Sequence, residues 1–288
     1  MVGQEYQSKE FLQRLLRQTG AELASFKPVG SLRLERAWAD YTVRIYRDSS
    51  HLALGSFEIL RSGRILLAAE GGRFFIGSPN QEMEEEQPEA AVLFGRDITG
   101  NGVPDLVVSE YSGGSHCCLD FYVFEIGQDL RLLDVLQAQH SGRAEFVDMD
   151  GDSNLEFAMQ DWTFAYWRTS FAESPAPDII LRFRDKGYHL AVDLMRKPAP
   201  SPGQLSSWAA ELRGNENWRG GEPPPLLWDK MLVLIYSGHM DLAWSLFETA
   251  WPSGVRGKDK FLKEFRQKLA ESPYWPEIQA LNLGRPDD

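Results

Sequence analysis

Asp97-Ile-Thr-Gly-Asn-Gly-Val-Pro-Asp105 and Asp148-Met-Asp-Gly-Asp-Ser-Asn-Leu-Glu156 are the two stretches on which the fold is read. Each sets oxygen-bearing side chains at positions 1, 3, 5 and 9 of a nine-residue loop: Asp97, Thr99, Asn101 and Asp105 in the first, Asp148, Asp150, Asp152 and Glu156 in the second. A hard cation such as Ca2+ takes about six to eight oxygens at about 2.3–2.6 Å, and a tight loop turns alternate side chains toward its centre. The position-7 carbonyl, of Val103 or Asn154, would add one more ligand. Glycine at position 6, Gly102 in the first loop, permits the left-handed backbone that closes such a turn. Ser153 takes that place in the second. No glutamate follows at position 12, and what comes next is a β-forming run, Leu106-Val-Val or Phe157-Ala-Met, so neither loop is an EF-hand. With four carboxylates against two, loop two is expected to bind more tightly.

The surroundings of the two loops also correspond. Asp105-Leu-Val-Val-Ser-Glu-Tyr lines up with Glu156-Phe-Ala-Met-Gln-Asp-Trp, 51 residues later. Val123-Phe-Glu-Ile-Gly-Gln-Asp-Leu-Arg-Leu-Leu echoes the earlier Ser56-Phe-Glu-Ile-Leu-Arg-Ser-Gly-Arg-Ile-Leu and the later Leu181-Arg-Phe-Arg-Asp-Lys-Gly-Tyr-His-Leu. Between about Ser31 and Leu194 the chain is a series of short runs rich in Val, Ile, Phe and Tyr, bounded by Gly, Asp, Asn and Pro. Such runs are strands, and a repeat of this length is the spacing of propeller blades or stacked β units.

On residues Asp97, Thr99, Asn101, Gly102 and Asp105, and Asp148, Asp150, Asp152 and Glu156, the chain resembles the FG-GAP and VCBS-type repeats of integrin-like β-propellers. The resemblance spans about residues 95–195, faintly 40–80, and neither terminus. It implies Ca2+ in the loop joining the first two strands of a blade, and a recognition module rather than an enzyme. Three blade-like units do not fill a seven-bladed ring. The expected fold is therefore mainly β: blade-like antiparallel repeats in an open or atypical propeller-like assembly, with an N-terminal helix and a C-terminal helical region.

The flanks read differently. Phe11, Leu12, Leu15 and Leu16 share one face of an amphipathic helix over 4–19, with Gly20 placed to end it. Residues 196–225 carry Pro198, Pro200, Pro202 and Pro223-Pro-Pro and read as an extended connector. The helical period then returns in Leu226–Tyr236, broken at Gly238, in Asp241–Trp251, and in a third helix marked by Phe261, Leu262, Phe265 and Leu269. The expected divisions are 1–30, 31–195, 196–225 and 226–288. The aromatics of the helical pair are read as docking it onto the β region rather than as one unit of a solenoid, which needs stacked neighbours.

Outside the loops, Tyr111-Ser-Gly-Gly-Ser-His-Cys-Cys-Leu-Asp120 and Asp161-Trp-Thr-Phe-Ala-Tyr-Trp stand out. Tyr111, His116, Cys118, Asp161 and Trp162 form a candidate surface for a protein or carbohydrate ligand. The alternative is a hydrolase or thiol-dependent enzyme in which His116 activates Cys117 or Cys118. Neighbouring strand residues face opposite ways, which sets His116 against pairing with Cys117. The acidic run Glu82–Glu89 reads as a solvated loop. No nucleotide-binding, metalloprotease or nucleophile-elbow motif is present.

Composition bounds the rest. Of 288 residues 43% are hydrophobic, which gives a globular chain, and 42 acidic against 30 basic residues leave a net charge of −12. Such a surface repels nucleic acid and attracts cations. No apolar run approaches the roughly 20 residues that span a bilayer. The two cysteines are adjacent and cannot staple distant segments, which points to a cytoplasmic protein, with export behind a removed leader as the alternative.

Overall fold

Strands that alternate inward and outward residues build three antiparallel sheets. A computed structural model describes residues 18–49, 54–79, 93–114, 117–140, 143–220 and 222–284. The first sheet runs β1 (Ser31–Trp38), β2 (Tyr41–Arg47), β3 (Gly55–Arg61) and β4 (Arg64–Gly71), paired in chain order. The second joins β5 (Arg73–Ile76), β7 (Asp105–Gly114), β8 (Cys117–Ile126) and β9 (Leu130–Gln139), with β6 (Phe94–Arg96) also paired to β7. The third runs β10 (Glu145–Val147), β11 (Glu156–Gln160), β12 (Asp178–Arg184) and β13 (Gly187–Leu190) in order. The fold is thus mainly antiparallel sheet with helices gathered toward the C-terminus, and no closed barrel or propeller is present among the described residues.

The three echoed segments are all hairpins: β3–β4, β8–β9 and β12–β13. Two of them turn through a pair of left-handed residues, Ser62 (φ +48°) with Gly63 (φ +80°) and Asp185 (φ +50°) with Lys186 (φ +71°). That backbone twist matches the twist of the strands it joins.

The chain divides into two compact units, Met1–His140 with Asp185–Gly187, and Ser141–Arg184 with Tyr188–Asp288. Most of the third sheet falls in the second unit, with the C-terminal helices. In the first unit, period-two alternation sends Tyr41, Val43 and Ile45 of β2 inward to meet Phe57, Ile59, Phe74, Leu106, Val108, Tyr122 and Phe124.

Helix α1 (Gly20–Ser25) corrects the expectation that Gly20 ends a helix. Thr19 and Glu22 form a reciprocal capping box there, so Gly20 is the first residue of a helix. Residues 4–17 of the expected helix lie outside the described residues, as does the acidic run 82–89.

The second unit carries α2 (Val192–Met195), α3 (Pro202–Arg213), α4 (Pro225–Tyr236), α5 (Met240–Ala250), α6 (Lys258–Leu269) and α7 (Trp275–Asn282). Helix α3 lies within the stretch expected to be extended. Pro202 occupies its first turn, where no amide hydrogen bond is lost, and Ser201 caps it by accepting from the Gln204 amide at 3.2 Å. Aromatics dock these helices on the segment after β11. Phe164 lies 5.3 Å from Phe265, and Trp167 meets the Trp228 ring edge-on at 5.4 Å.

Candidate metal centre

Each Asp-rich loop joins a three-residue strand to the strand it pairs with, β6 to β7 and β10 to β11. Position 9 therefore sits at the base of the turn, as the first residue of β7 or β11, and both position-9 side chains, Asp105 and Glu156, are fully buried.

The loops share one hydrogen-bond scheme. The position-1 carboxylate accepts from the position-4 amide at 2.7 Å in both, Gly100 to Asp97 and Gly151 to Asp148. Its other oxygen accepts from position 6, Gly102 at 2.8 Å and Ser153 at 3.1 Å. The position-5 side chain accepts from the position-7 amide, Val103 to Asn101 at 2.8 Å and Asn154 to Asp152 at 2.7 Å. The position-9 carboxylate accepts from the position-2 amide, Ile98 to Asp105 at 2.9 Å and Met149 to Glu156 at 3.0 Å. Positions 4 and 6 are left-handed in each: Gly100 and Gly102 at φ +72° and +86°, Gly151 and Ser153 at +83° and +75°. Ser153 thus adopts the glycine conformation at a steric cost of about 1–2 kcal/mol. Replacing Ser153 with glycine should stabilise the chain by about 0.5–1 kcal/mol after the added unfolded-state entropy is discounted, read as the shift in denaturant midpoint.

The electrostatics of the two turns differ. In loop two, oxygens of Asp148, Asp150 and Glu156 lie within 4.8 Å of one another, the one such acidic group among the described residues. Asn154 holds Asp152 below the ordinary carboxyl range, its backbone amide first and its side-chain amide second. Arg182 of β12 enters this group, donating to Glu156 at 2.9 Å and to Asp150 at 2.6 Å.

In loop one, Thr99 donates to the same Asp105 oxygen as Ile98, through its amide at 3.1 Å and its hydroxyl at 3.0 Å. The other oxygen, Asp105 Oδ1, is buried with no hydrogen-bond partner. Burial pushes the Asp105 carboxyl up to about 6, against the lowering effect of its bonds from Ile98 and Thr99. Asn101 turns its side-chain amide to Glu125 at 3.1 Å.

The remaining candidate residues are divided between the two units. Tyr111 on β7 pairs in register with Leu119, and the backbone amide of Cys118 on β8 donates to the Ser112 hydroxyl at 2.6 Å. Cys118 is disulfide-bonded. His116 lies outside the described residues. Asp161 is buried and used internally: one oxygen accepts from the Thr163 amide and hydroxyl at 2.9 and 2.5 Å, the other from Tyr236 and Ser272, both at 2.6 Å. Trp162 stacks on Phe171 at 5.0 Å, and Tyr166, 56% exposed, lies 5.4 Å from the same ring. Arg182 and Glu125 are the residues about the loops that motif reading passes over, because both lie on strands remote in sequence. No described helix is long and apolar enough to cross a membrane.

No protein-family profile, curated protein or solved structure matches the chain.

Proposed function

We propose that the chain is a non-catalytic recognition module of antiparallel β repeats, related to the FG-GAP and VCBS type, stiffened by Ca2+ at its Asp-rich loops. The observation that carries this reading is the recurrence of four hydrogen bonds, position by position, in the two loops. Ordinary Asp/Asn turns need only one such bond; here the same four recur in the same order, each followed by a strand that begins with a buried carboxylate. Oxygen-only donor sets of this kind suit a hard cation. Two four-stranded meanders and one five-stranded antiparallel sheet are the units from which a blade-like assembly would be built. A divalent ion would tie the β6–β7 or β10–β11 hairpin to its sheet and present the neighbouring strand ends to a protein or carbohydrate ligand. A thiol enzyme is the weaker reading, since the disulfide at Cys118 leaves it no nucleophile.

Calorimetric titration of the chelator-treated protein with Ca2+, alongside thermal melting, tests the proposal. At ten times Kd, linkage adds about 1.4 kcal/mol, which raises Tm by roughly 2–4 °C. Absence of both heat and shift at millimolar Ca2+ removes the reading.

A further inference from the structure

The two loops match in backbone and differ in what stands across the sheet from position 9. In loop one, Asp105 faces Glu125 in the β7–β8 register. In loop two, Phe157 faces Leu181, which sets Glu156 beside Arg182. A carboxylate in one copy is thus replaced by a guanidinium in the other.

Arg182 takes up what a metal would need. Its Nε donates to Glu156 Oε1 at 2.9 Å and its Nη2 to Asp150 Oδ2 at 2.6 Å, so two of the three gathered carboxylates already have a cationic partner. Nη1 also holds Asp193, in α2, at 3.0 Å. A guanidinium is permanently charged, planar and a multiple donor, which suits it to fixed carboxylate oxygens. Tethered to the adjoining strand, it also competes at high effective concentration. Loop one has no such occupant. Arg131 answers Glu125 at 2.8 Å, and among the described residues no Lys or Arg pairs with Asp97 or Asp105. The buried Asp105 Oδ1 has no hydrogen-bond donor at all.

We infer that Arg182 is the resident cation of loop two: its guanidinium stands in for a metal ion, so that loop closes without one and Ca2+ dependence is confined to loop one. This rests on the reading of both turns as cation loops. It reverses the ranking by carboxylate count, in which loop two binds more tightly.

The test is the number of Ca2+ ions bound, by calorimetry with Ca2+ alone, in the full chain and three variants. One ion is expected in the wild type, none in Asp105→Asn, and two in Arg182→Gln. The second ion should disappear when Asp148→Asn is added to Arg182→Gln. In chelator, Arg182→Gln should melt lower than wild type and recover in Ca2+. Two ions in the wild type, a site that survives Asp105→Asn, or no added site in Arg182→Gln overturns the inference. So does an Arg182→Gln chain that folds in neither chelator nor Ca2+. A wild type that binds none while Arg182→Gln binds one leaves Arg182 as the cation of loop two but overturns the assignment of Ca2+ to loop one, and with it the proposed Ca2+ stiffening of the native chain. If neither binds, both fall.

Discussion

Replacing Asp161 with alanine should lower stability by about 4 kcal/mol, whether or not Ca2+ is present. The side chain is 3% exposed and accepts four hydrogen bonds, from the Thr163 amide and hydroxyl and from the Tyr236 and Ser272 hydroxyls. Truncation strands the two buried hydroxyls of α4 and of the α6–α7 junction, and each orphaned group costs about 1–3 kcal/mol. Burial first, and the Asp161 carboxylate second, hold the Tyr236 phenol well above its ordinary value, so it cannot escape by ionising. Tyr236→Phe, which removes the donor along with the bond, should cost only about 1–1.5 kcal/mol. Denaturant midpoints measure both. An Asp161→Ala chain within 1 kcal/mol of wild type would return this residue to the ligand surface on which the sequence places it. Asp161 thus belongs to the joint between the third sheet and the helices.

That misplacement shows where sequence reading runs out. Strands were legible wherever alternation was strong, as in Tyr41, Val43 and Ile45, because only a pleated backbone sends every second residue inward. The two turns were legible as turns because their signal is local: Asp, Asn and Gly at fixed positions and a left-handed sixth residue suffice. Asp161 was not, since its partners lie 75 and 111 residues away. Helix α3 was hidden by prolines counted as breakers when one of them sits at a first turn. Arg182 was within reach. Aligning Val123 with Leu181 by composition is one residue out of step with the strand pairing, in which Phe124 and Leu181 each face the residue after position 9. Corrected by that residue, the alignment sets Glu125 against Arg182 and exposes the charge reversal. A period-two element turns a one-residue error into the opposite face of the sheet.

Loop one should also make metal-free stability depend on pH. Burial raises the folded Asp105 carboxyl from its ordinary 3.8 to about 6. The folded state therefore holds this proton more tightly than the unfolded chain does. The stabilisation is fully present below about pH 4, declines as pH rises through about 6, and is gone above it. A gap of about two pH units corresponds to about 3 kcal/mol. In chelator, wild type should lose about that much relative to Asp105→Asn between pH 4 and 7.5, by denaturant titration at each pH. The difference between the two chains isolates this carboxyl from every other titrating group. Ca2+ requires the deprotonated form and has a buried, unpartnered Oδ1 to engage, so its stabilising effect should grow over the interval in which the proton's effect fades. Saturating Ca2+ should flatten or reverse the difference curve. Parallel curves in chelator would mean that Asp105 carries no burial penalty. A slope in chelator that Ca2+ leaves unchanged would mean that the penalty is real and that no ion relieves it.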